Sequence, residues 1–287
     1  MKRKVQRILS SILAAVLVTG NIPVYAADVP EEPVLSVETE EADGVTVTEG
    51  DYELTVIDED AKTASISKYK GTGSGSLTIP ATLGDYSIVE LGDNSYKGSG
   101  FTSVTIPATI LKVGSYAFSN CGELQSVVFA EGTSAIDMDH HTFYECDKLQ
   151  SIKLSERVTA IPSTFAYGCE LLTTVEWPAA LTTIGATAFC NDKMLTSSDL
   201  SGTSLTMIGD GAFSGCTALP VVKFPTETTA LKIDDNAFKG TAMSGEGLII
   251  PANVASLGSY AFANCDELQR VEVAEGTSAI DMDHHTF

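Results

Sequence analysis

Histidine, the side chain best suited to metal or proton chemistry at neutral pH, occurs only in two copies of one short motif. Each copy reads Asp-Met-Asp-His-His. The four histidines of the 287-residue chain are His140, His141, His284 and His285. Imidazole and carboxylate are both metal ligands, so Asp137, Asp139 and one histidine could bind a metal ion. The alternative is a polar insertion on an outer bend, where adjacent residues of an extended segment point to opposite faces. We favour this alternative and predict no metal site and no cofactor.

The same histidines are the candidates for a general base. A Ser-His-Asp or Cys-His site needs a shaped pocket around the reacting groups. Both histidine pairs lie in repeated segments of the sequence, where nothing indicates such a pocket. We therefore predict that the chain has no catalytic residues and is not an enzyme.

Six cysteines are the remaining reactive side chains, and five of them share one position of a repeat. These five are Cys121, Cys146, Cys169, Cys216 and Cys265, and the equivalent position holds Asp192 and Thr241 in two other repeats. A buried cysteine behaves as a small apolar residue, and the two replacements favour a requirement for size over pairing. Neighbours such as Cys121 and Cys146 could still approach disulfide distance, so oxidation of a pair stays open. The sequence has no Cys-x-x-Cys spacing, which argues against a metal.

The elements that carry these residues are internal repeats. Residues 113–143 recur at 257–287 with 25 of 31 positions identical, an offset of 144 residues, or six units of 24. Within each unit, a Leu-x-x-Val-x-Ile-Pro pattern alternates in the manner of a strand, and proline ends the strand because it has no N–H to donate. An Ala-Phe pair, as in Ala117-Phe118, then returns the chain across the core. One unit buries too little to fold alone, so stacking must supply the core.

These patterns resemble the BspA-like leucine-rich repeats of bacterial surface antigens, over residues 77–287. The resemblance implies a leucine-rich-repeat solenoid, α/β by class but dominated by β structure, with a parallel β ladder, short helical turns and about 24 residues per repeat. One unit reverses the pair to Phe165-Ala166, and Tyr96 stands where the first Phe would be. The last unit stops at Phe287 before its next Cys and strand. We expect the natural product to continue.

The N-terminal 76 residues divide into three segments. Residues 1–26 have a basic start, a short apolar run and small residues before Ala27, which predicts a cleaved signal peptide. Residues 27–50 are acidic and rich in polar residues, and we interpret them as a flexible linker. Residues 51–76 contain two strand-like runs around Asp58-Glu59-Asp60, which predicts a β-hairpin cap on the first repeat. The mature chain should then be secreted or held at the cell surface, without membrane insertion.

Charge limits the class of partner. Seventeen basic residues against 38 acidic ones give a net charge of −21. Nucleic acids and anionic membranes attract positive surfaces, so neither is expected as the main partner.

The concave ladder is where folds of this type usually bind partners. Its outward positions form a possible binding face: Thr105, Val128, Lys153, Glu176, Asp199, Lys223, Ile249 and Glu272. These positions include no aromatic residue, although Trp, Tyr and Arg dominate binding hot spots. The only Trp, Trp177, occupies an inward strand position.

Two hypotheses of function follow. The resemblance implies an exported, non-enzymatic, adhesin-like module that binds a protein, such as a host or extracellular-matrix protein. The alternative is a scaffold or targeting arm of a larger secreted enzyme whose catalytic domain lies beyond residue 287. The sequence of the chain beyond Phe287 would distinguish the two.

Overall fold

A computed structural model describes residues 45–197, 199–227, 230–244, 247–275 and 279–287, all of which belong to one compact unit, Asp43–Phe287. The predicted signal peptide (1–26) and most of the predicted linker lie outside the described residues. Within the described residues, no helix has the length and apolar character needed to cross a membrane.

The described part of the chain starts with an antiparallel sheet. Its strands are β1 (Thr46–Glu49), β2 (Tyr52–Asp58) and β3 (Thr63–Tyr69). β2 pairs antiparallel with both neighbours, and β3 then pairs parallel with β6 (Tyr86–Leu91) in the first repeat. The linker was expected to extend to residue 50, but β1 already lies within it. Its short run of Val and Thr residues pairs with β2, which supplies the partner that an isolated polar segment lacks.

A parallel ladder runs along one side of the repeats. Its strands are β4 (Ser76–Thr78), β7 (Ser103–Ile106), β9 (Ser126–Phe129), β11 (Ser151–Lys153), β13 (Thr174–Glu176), β17 (Leu248–Ile250) and β19 (Val271–Val273). β4 to β13 form one continuous sheet in chain order, whereas β17 pairs with β19 alone. The central residue of each strand from β4 to β13 is buried, as in Val104 and Val127, because one face of the ladder packs on the core.

Each repeat contributes a second short strand on another side of the coil. These strands are β5 (Thr82–Leu83), β6 (Tyr86–Leu91), β8 (Lys112–Val113), β10 (Asp137–Met138), β12 (Ala160–Ile161), β14 (Thr183–Ile184), β15 (Met207–Ile208), β16 (Leu231–Ile233), β18 (Val254–Leu257) and β20 (Asp281–Met282). Apart from β5, they pair in parallel, in two runs from β6 to β10 and from β12 to β20. The sequence pattern did not predict this second sheet, because two-residue strands are too short to show alternation.

Glycine follows several of these second strands because the preceding coil lies close to its backbone. A Cβ on Gly185 would lie 2.6 Å from Ser163 N, and one on Gly209 would lie 2.7 Å from Ala186 N. Both distances are shorter than real Cβ contacts, so a larger residue would push the coils apart. The Ile-Gly and Val-Gly pairs of the sequence therefore mark the closest approach between successive coils.

The solenoid with a parallel ladder and a repeat of about 24 residues is confirmed, but the short helical turns are not. The described residues contain no helix. At the Ala-Phe pair, main-chain N–H groups alternate between the same coil and the next: Ser119 N donates to Tyr116 O at 3.0 Å, and Phe118 N donates to Thr142 O at 2.9 Å. Hydrogen bonds to the next coil replace the intrahelical bonds that a helix requires.

Two residues of each of these turns adopt left-handed backbone conformations. The first position is occupied by Asn94, Tyr116, His141, Thr164, Thr187, Gly211, Asn236, Tyr260 and His285, and the second by Gly98, Asn120, Glu145, Gly168, Asn191, Gly215, Gly240 and Asn264. Glycine and asparagine tolerate positive φ, whereas tyrosine and threonine do so at a cost in energy. The stacked coils impose this conformation even where the local residue disfavours it.

A column of aromatic rings fills the core. Phe189, Phe213 and Phe238 stack in sequence, with ring centroids 5.5 and 5.2 Å apart and interplanar angles of 10° and 5°. Phe165 interrupts the stacking: its ring makes angles of 89° with Phe143 and 72° with Phe189. The sequence reversal Phe165-Ala166 explains this change, because the ring enters the column from the neighbouring position.

A file of equivalent residues, which we call the cysteine file, lies beside this column and is buried throughout. Its members are Cys121, Cys146, Cys169, Asp192, Cys216, Thr241 and Cys265. Its thiols donate to main-chain carbonyls of the preceding coil: Cys146 Sγ lies 3.1 Å from Phe118 O, and Cys216 Sγ lies 3.0 Å from Phe189 O. In the same file, Asp192 Oδ1 accepts a hydrogen bond from Cys169 N at 2.8 Å, while Oδ2 has no partner. Burial therefore raises the pKa of Asp192 well above its ordinary value.

We predict that Phe213→Ala lowers the free energy of unfolding by about 3 to 5 kcal/mol, because it opens a cavity in the middle of the aromatic column. Phe287, which is 54% exposed, is the matched control, and Phe287→Ala should cost less than about 1 kcal/mol. Urea unfolding followed by tryptophan fluorescence measures both. Equal losses of unfolding free energy in the two variants would contradict the prediction that the aromatic column stabilises the core.

We predict that Asp192→Cys stabilises the chain at pH 7 by about 1 to 3 kcal/mol, the usual penalty for a buried unsatisfied polar group. A carboxyl whose pKa is raised by folding favours the folded state fully only below its unfolded pKa, about 3.9. That contribution is lost as pH rises through the raised folded pKa. The advantage of the variant should therefore shrink towards pH 4. Thermal unfolding at pH 4 and pH 7 tests this, with exposed Asp199→Asn as the control; a pH-independent difference would contradict it.

Candidate binding face

The ladder face consists of the outward side chains on the ladder strands. The structure places the eight predicted residues along it in chain order. Main-chain pairing joins Thr105 to Val128, Val128 to Lys153, Lys153 to Glu176, Asp199 to Lys223, and Ile249 to Glu272. Within the described residues, two pairs of neighbouring positions in the file lack such pairing: Glu176 with Asp199, and Lys223 with Ile249.

Charged side chains of the ladder face pair with each other across adjacent strands. Lys153 Nζ lies 3.0 Å from Glu176 Oε2, and Lys223 Nζ lies 3.1 Å from Asp199 Oδ2. All four side chains are more than half exposed. Exposed ion pairs of this kind contribute about 0 to 1 kcal/mol to stability. The charges are thus free to exchange partners with little cost to the fold.

Apolar side chains are also exposed on this face. Val128 on β9 is 37% exposed and Ile249 on β17 is 58% exposed. Both stand in strands whose neighbouring residues are buried, so their positions are fixed by the ladder. Fixed apolar groups bind a partner at a smaller cost in conformational entropy than mobile ones.

A cleft of about 760 Å³ interrupts the ladder face between Lys223 and Ile249. Its walls include Val221 and Phe224 on one side and Leu248 and Ile249 on the other, and Arg270 stands at its rim. Three of the predicted face residues line it: Lys223, Ile249 and Glu272. The volume lies within the range of about 300 to 1,000 Å³ that is typical of ligand sites.

The cleft lies beside a one-residue insertion in one repeat. The cysteine-file residue and the buried ladder residue are six apart in Cys216 and Val222, whereas the equivalent Thr241 and Leu248 are seven apart. At the end of this longer segment, Gly247 has a φ of +108°, and a Cβ there would lie 2.9 Å from Arg270 O. The sequence shows the insertion as a glycine-rich irregularity, but its effect on pairing between coils is visible only in the structure.

The histidine pairs lie on a different side of the coil from the ladder face. His140 Nδ1 and His141 Nδ1 are 2.8 Å apart, so one ring donates a hydrogen bond to the other. The expectation that the two side chains point to opposite faces is wrong, because His141 has a φ of +61° and the segment is not extended. Burial, followed by the neighbouring His140, lowers the pKa of His141.

Three tyrosines, which the sequence analysis did not single out, join these histidines in a partly exposed aromatic row. The Tyr116 ring stacks on His141 with centroids 4.4 Å apart, and Tyr144 stacks on Tyr167 at 5.4 Å. Lys97 Nζ lies 5.4 Å from the centroid of Tyr116. The rings cover one another's faces and present their edges to solvent. In each turn, the first left-handed residue lies four positions before the second, which is usually Asn or Gly. This spacing is the sequence signal that could have located Tyr116 and its equivalents.

No metal centre is formed by the described residues, since no three His, Cys, Asp or Glu side chains lie close enough to hold an ion. All six cysteines are free thiols. Burial raises the pKa of Cys169 and Cys216, which keeps both thiols protonated and unreactive near neutral pH. Cys190, which lies outside the cysteine file, is only half-buried.

Comparisons with known proteins agree with this geometry. A family described as "BspA type Leucine rich repeat region" matches in six copies over residues 89–204 and 182–285. A solved leucine-rich cell surface protein from Faecalibacterium prausnitzii A2-165 is 29% identical, with a TM-score of 0.54. The match covers 80% of this chain and 54% of that one, so the chain spans about half the length of that relative.

Two other solved structures share the fold. A leucine-rich repeat protein from T. pallidum is 21% identical, with a TM-score of 0.59 and coverage of 78% of this chain and 90% of that one. One from Bacteroides ovatus ATCC 8483 is 22% identical, also with a TM-score of 0.59, over 82% of this chain and 66% of that one. A comparison with curated proteins gives no match.

We predict that the native chain reacts with a thiol reagent at Cys190 alone, because every cysteine of the cysteine file is buried. Mass spectrometry after brief alkylation should show one labelled cysteine, and six after denaturation in urea. Cys190→Ser should abolish labelling of the native chain, with Cys216→Ser as the control that leaves it unchanged. Rapid labelling of Cys146 or Cys169 in the native chain would contradict the burial of the cysteine file.

Proposed function

The chain belongs to the BspA-type leucine-rich repeat family, and from this premise we propose that it is an exported, non-enzymatic module that binds a protein partner through its ladder face. The observation that carries the proposal is the ladder face itself: a row of exposed polar and apolar side chains, fixed by paired strands and broken by one cleft lined by the same residues. Such a surface suits a partner that spans several coils.

Export is supported by residues 1–26, whose basic start, apolar run and Val24-Tyr25-Ala26 end fit a cleaved signal peptide. The Faecalibacterium relative is described as a cell surface protein. Without residues 1–26 the chain has 13 basic and 38 acidic residues, a net charge of −25, which favours solubility and favours partners with basic or neutral surfaces over nucleic acids. We therefore propose a location outside the cell, either secreted or at the cell surface.

A non-enzymatic role is supported by the surroundings of the ionisable groups. The histidines lie in an aromatic row whose rings cover one another, outside the cleft. The cleft contains Lys223, Arg270 and Glu272 as its charged residues, and the last two are joined by an ion pair of 2.6 Å. This set offers charge for recognition but no histidine, cysteine or carboxylate pair for proton transfer or nucleophilic attack.

We predict that the exported chain binds at least one of fibronectin, laminin and type I collagen in surface plasmon resonance. Val128→Glu should weaken that binding at least tenfold, because it places an unpaired charge in the middle of the ladder face. Met207→Glu is the matched control, since Met207 is also 37% exposed but lies on β15, in the second sheet. It should change the affinity less than threefold.

Two results would contradict the proposal. Equal losses in the Val128 and Met207 variants would exclude the ladder face as the binding surface. The absence of binding to all three proteins would exclude a matrix protein as the partner. The N-terminus of the exported chain, read by mass spectrometry, should be Ala27; an uncleaved chain that stays inside the cell would contradict export.

A further inference from the structure

The cleft is a local opening of the ladder and not a general separation of two coils. On the core side, the rings of Phe213, Phe238 and Phe262 continue to stack at 5.2 and 5.4 Å through the same repeats. The second sheet is also continuous there, since β15, β16 and β18 pair in order. Among the described residues of these repeats, the ladder segments on either side of the cleft do not pair.

One wall of the cleft is the edge of β17, and the other is the segment 221–224, which forms a parallel bridge to the preceding coil at Lys223 and Asp199. Leu200 N donates to Lys223 O at 2.9 Å, so the main chain of Lys223 faces away from the cleft. N–H and C=O groups of successive residues in a strand point alternately to either side, so those of Val222 and Phe224 face into it.

The opposite wall follows the same rule. Leu248 N donates to Arg270 O, and Ala274 N donates to Ile250 O, both at 2.9 Å. The main-chain groups of Ile249 therefore point away from β19 and into the cleft. Among the described residues, no main-chain hydrogen bond crosses between the two walls. An unpaired edge of this kind is a template for strand addition by another chain.

We propose that the cleft accepts an extended peptide segment of the protein partner as an added strand. This inference rests on the proposed function and names how the partner is recognised. The segment hydrogen-bonds to the free main-chain groups of Val222, Phe224 and Ile249. The wall from Val221 to Phe224 spans four residues, so about four residues of the ligand, roughly 13 Å in length, lie in the cleft.

Side chains around the cleft define the chemistry of that segment. Val221 and the 58% exposed Ile249 supply apolar contact, which selects an aliphatic or aromatic side chain in the ligand. Lys223 and Arg270 are the two cations at the rim. Each forms an exposed ion pair, with Asp199 and Glu272 respectively, which is weak enough to be exchanged for a carboxylate of a ligand. Their exposed N–H groups select a carboxylate of the ligand. The expected ligand is therefore an extended peptide that combines apolar residues with Asp or Glu.

The test uses linear seven-residue peptides displayed on phage and selected on the exported chain. Deletion of Gly245 restores the six-residue spacing between Thr241 and Leu248, and should let Ile249 pair with Lys223 and close the ladder. Enriched peptides should carry apolar and acidic residues, and their Kd, measured by fluorescence anisotropy, should rise at least tenfold on this variant. No enrichment, basic consensus peptides, or equal binding to the deletion variant would overturn the proposal.

A second pair of variants tests the same inference without shortening the chain. Ile249→Pro removes the N–H that faces the cleft, and should raise the Kd at least tenfold. Ile249→Thr keeps that N–H and the branched shape, so it should raise the Kd less than Ile249→Pro does. Amide exchange at Val222, Phe224 and Ile249 should be fast in the free chain and slowed by bound peptide. Unchanged exchange on binding, or equal effects of the two variants, would exclude strand addition.

The outcomes separate this inference from the function on which it rests. Peptides that bind the deletion variant normally but are lost on Val128→Glu would exclude the cleft and leave the ladder face as the binding surface. Peptides unaffected by both changes would exclude the ladder face as well.

Discussion

Main-chain hydrogen bonding between successive coils is the constraint on which the rest of this structure depends. Successive coils are joined by strand pairing in one or both sheets and by alternate N–H groups of the turn at the Ala-Phe position. This contact fixes the distance between coils, so each repeat must place residues of the same size at the same height. The aromatic column at 5.2 to 5.5 Å, the buried cysteine file and the glycines after the second strands all follow from that spacing.

The same constraint explains which departures the fold tolerates. Thr241 replaces cysteine without leaving its hydroxyl unsatisfied, but that hydroxyl donates within its own coil, to Phe238 O at 3.0 Å, and not to the preceding coil. Asp192 occupies the same height but leaves one carboxyl oxygen without a partner. Tyrosine and histidine occupy left-handed turn positions because the coils on both sides hold the backbone there. A repeat can therefore carry a locally unfavourable residue, provided that its neighbours keep the spacing.

An insertion has a different effect from a substitution, and this difference produces the candidate site. The additional residue before Leu248 leaves the stacking of the aromatic column intact. The second sheet stays paired, with a register shift between Leu231 and Lys232, while the described residues show no ladder pairing on the cleft side of β17. The result is a cleft with free main-chain groups, exposed Ile249 and two cations on an otherwise acidic molecule. A regular ladder offers a partner side chains alone, whereas this interruption also offers the backbone. The site thus depends on a defect in one repeat within an otherwise ordered array.

The sequence by itself determined the repeat, its length, the ladder strands and the outward file from Thr105 to Glu272, because alternation and spacing are local properties that recur in each unit. It also indicated that Phe165 and Asp192 depart from their files. Only the tertiary structure decided what the departures do. The turn at Ala117-Phe118 bonds to the next coil instead of forming a helix, and His140 and His141 converge through a left-handed residue. The cleft at Ile249 opens because pairing fails between strands that are more than 20 residues apart in the chain. Hydrogen bonds between coils join residues distant in sequence, and no pattern within a single repeat specifies where such a bond is lost.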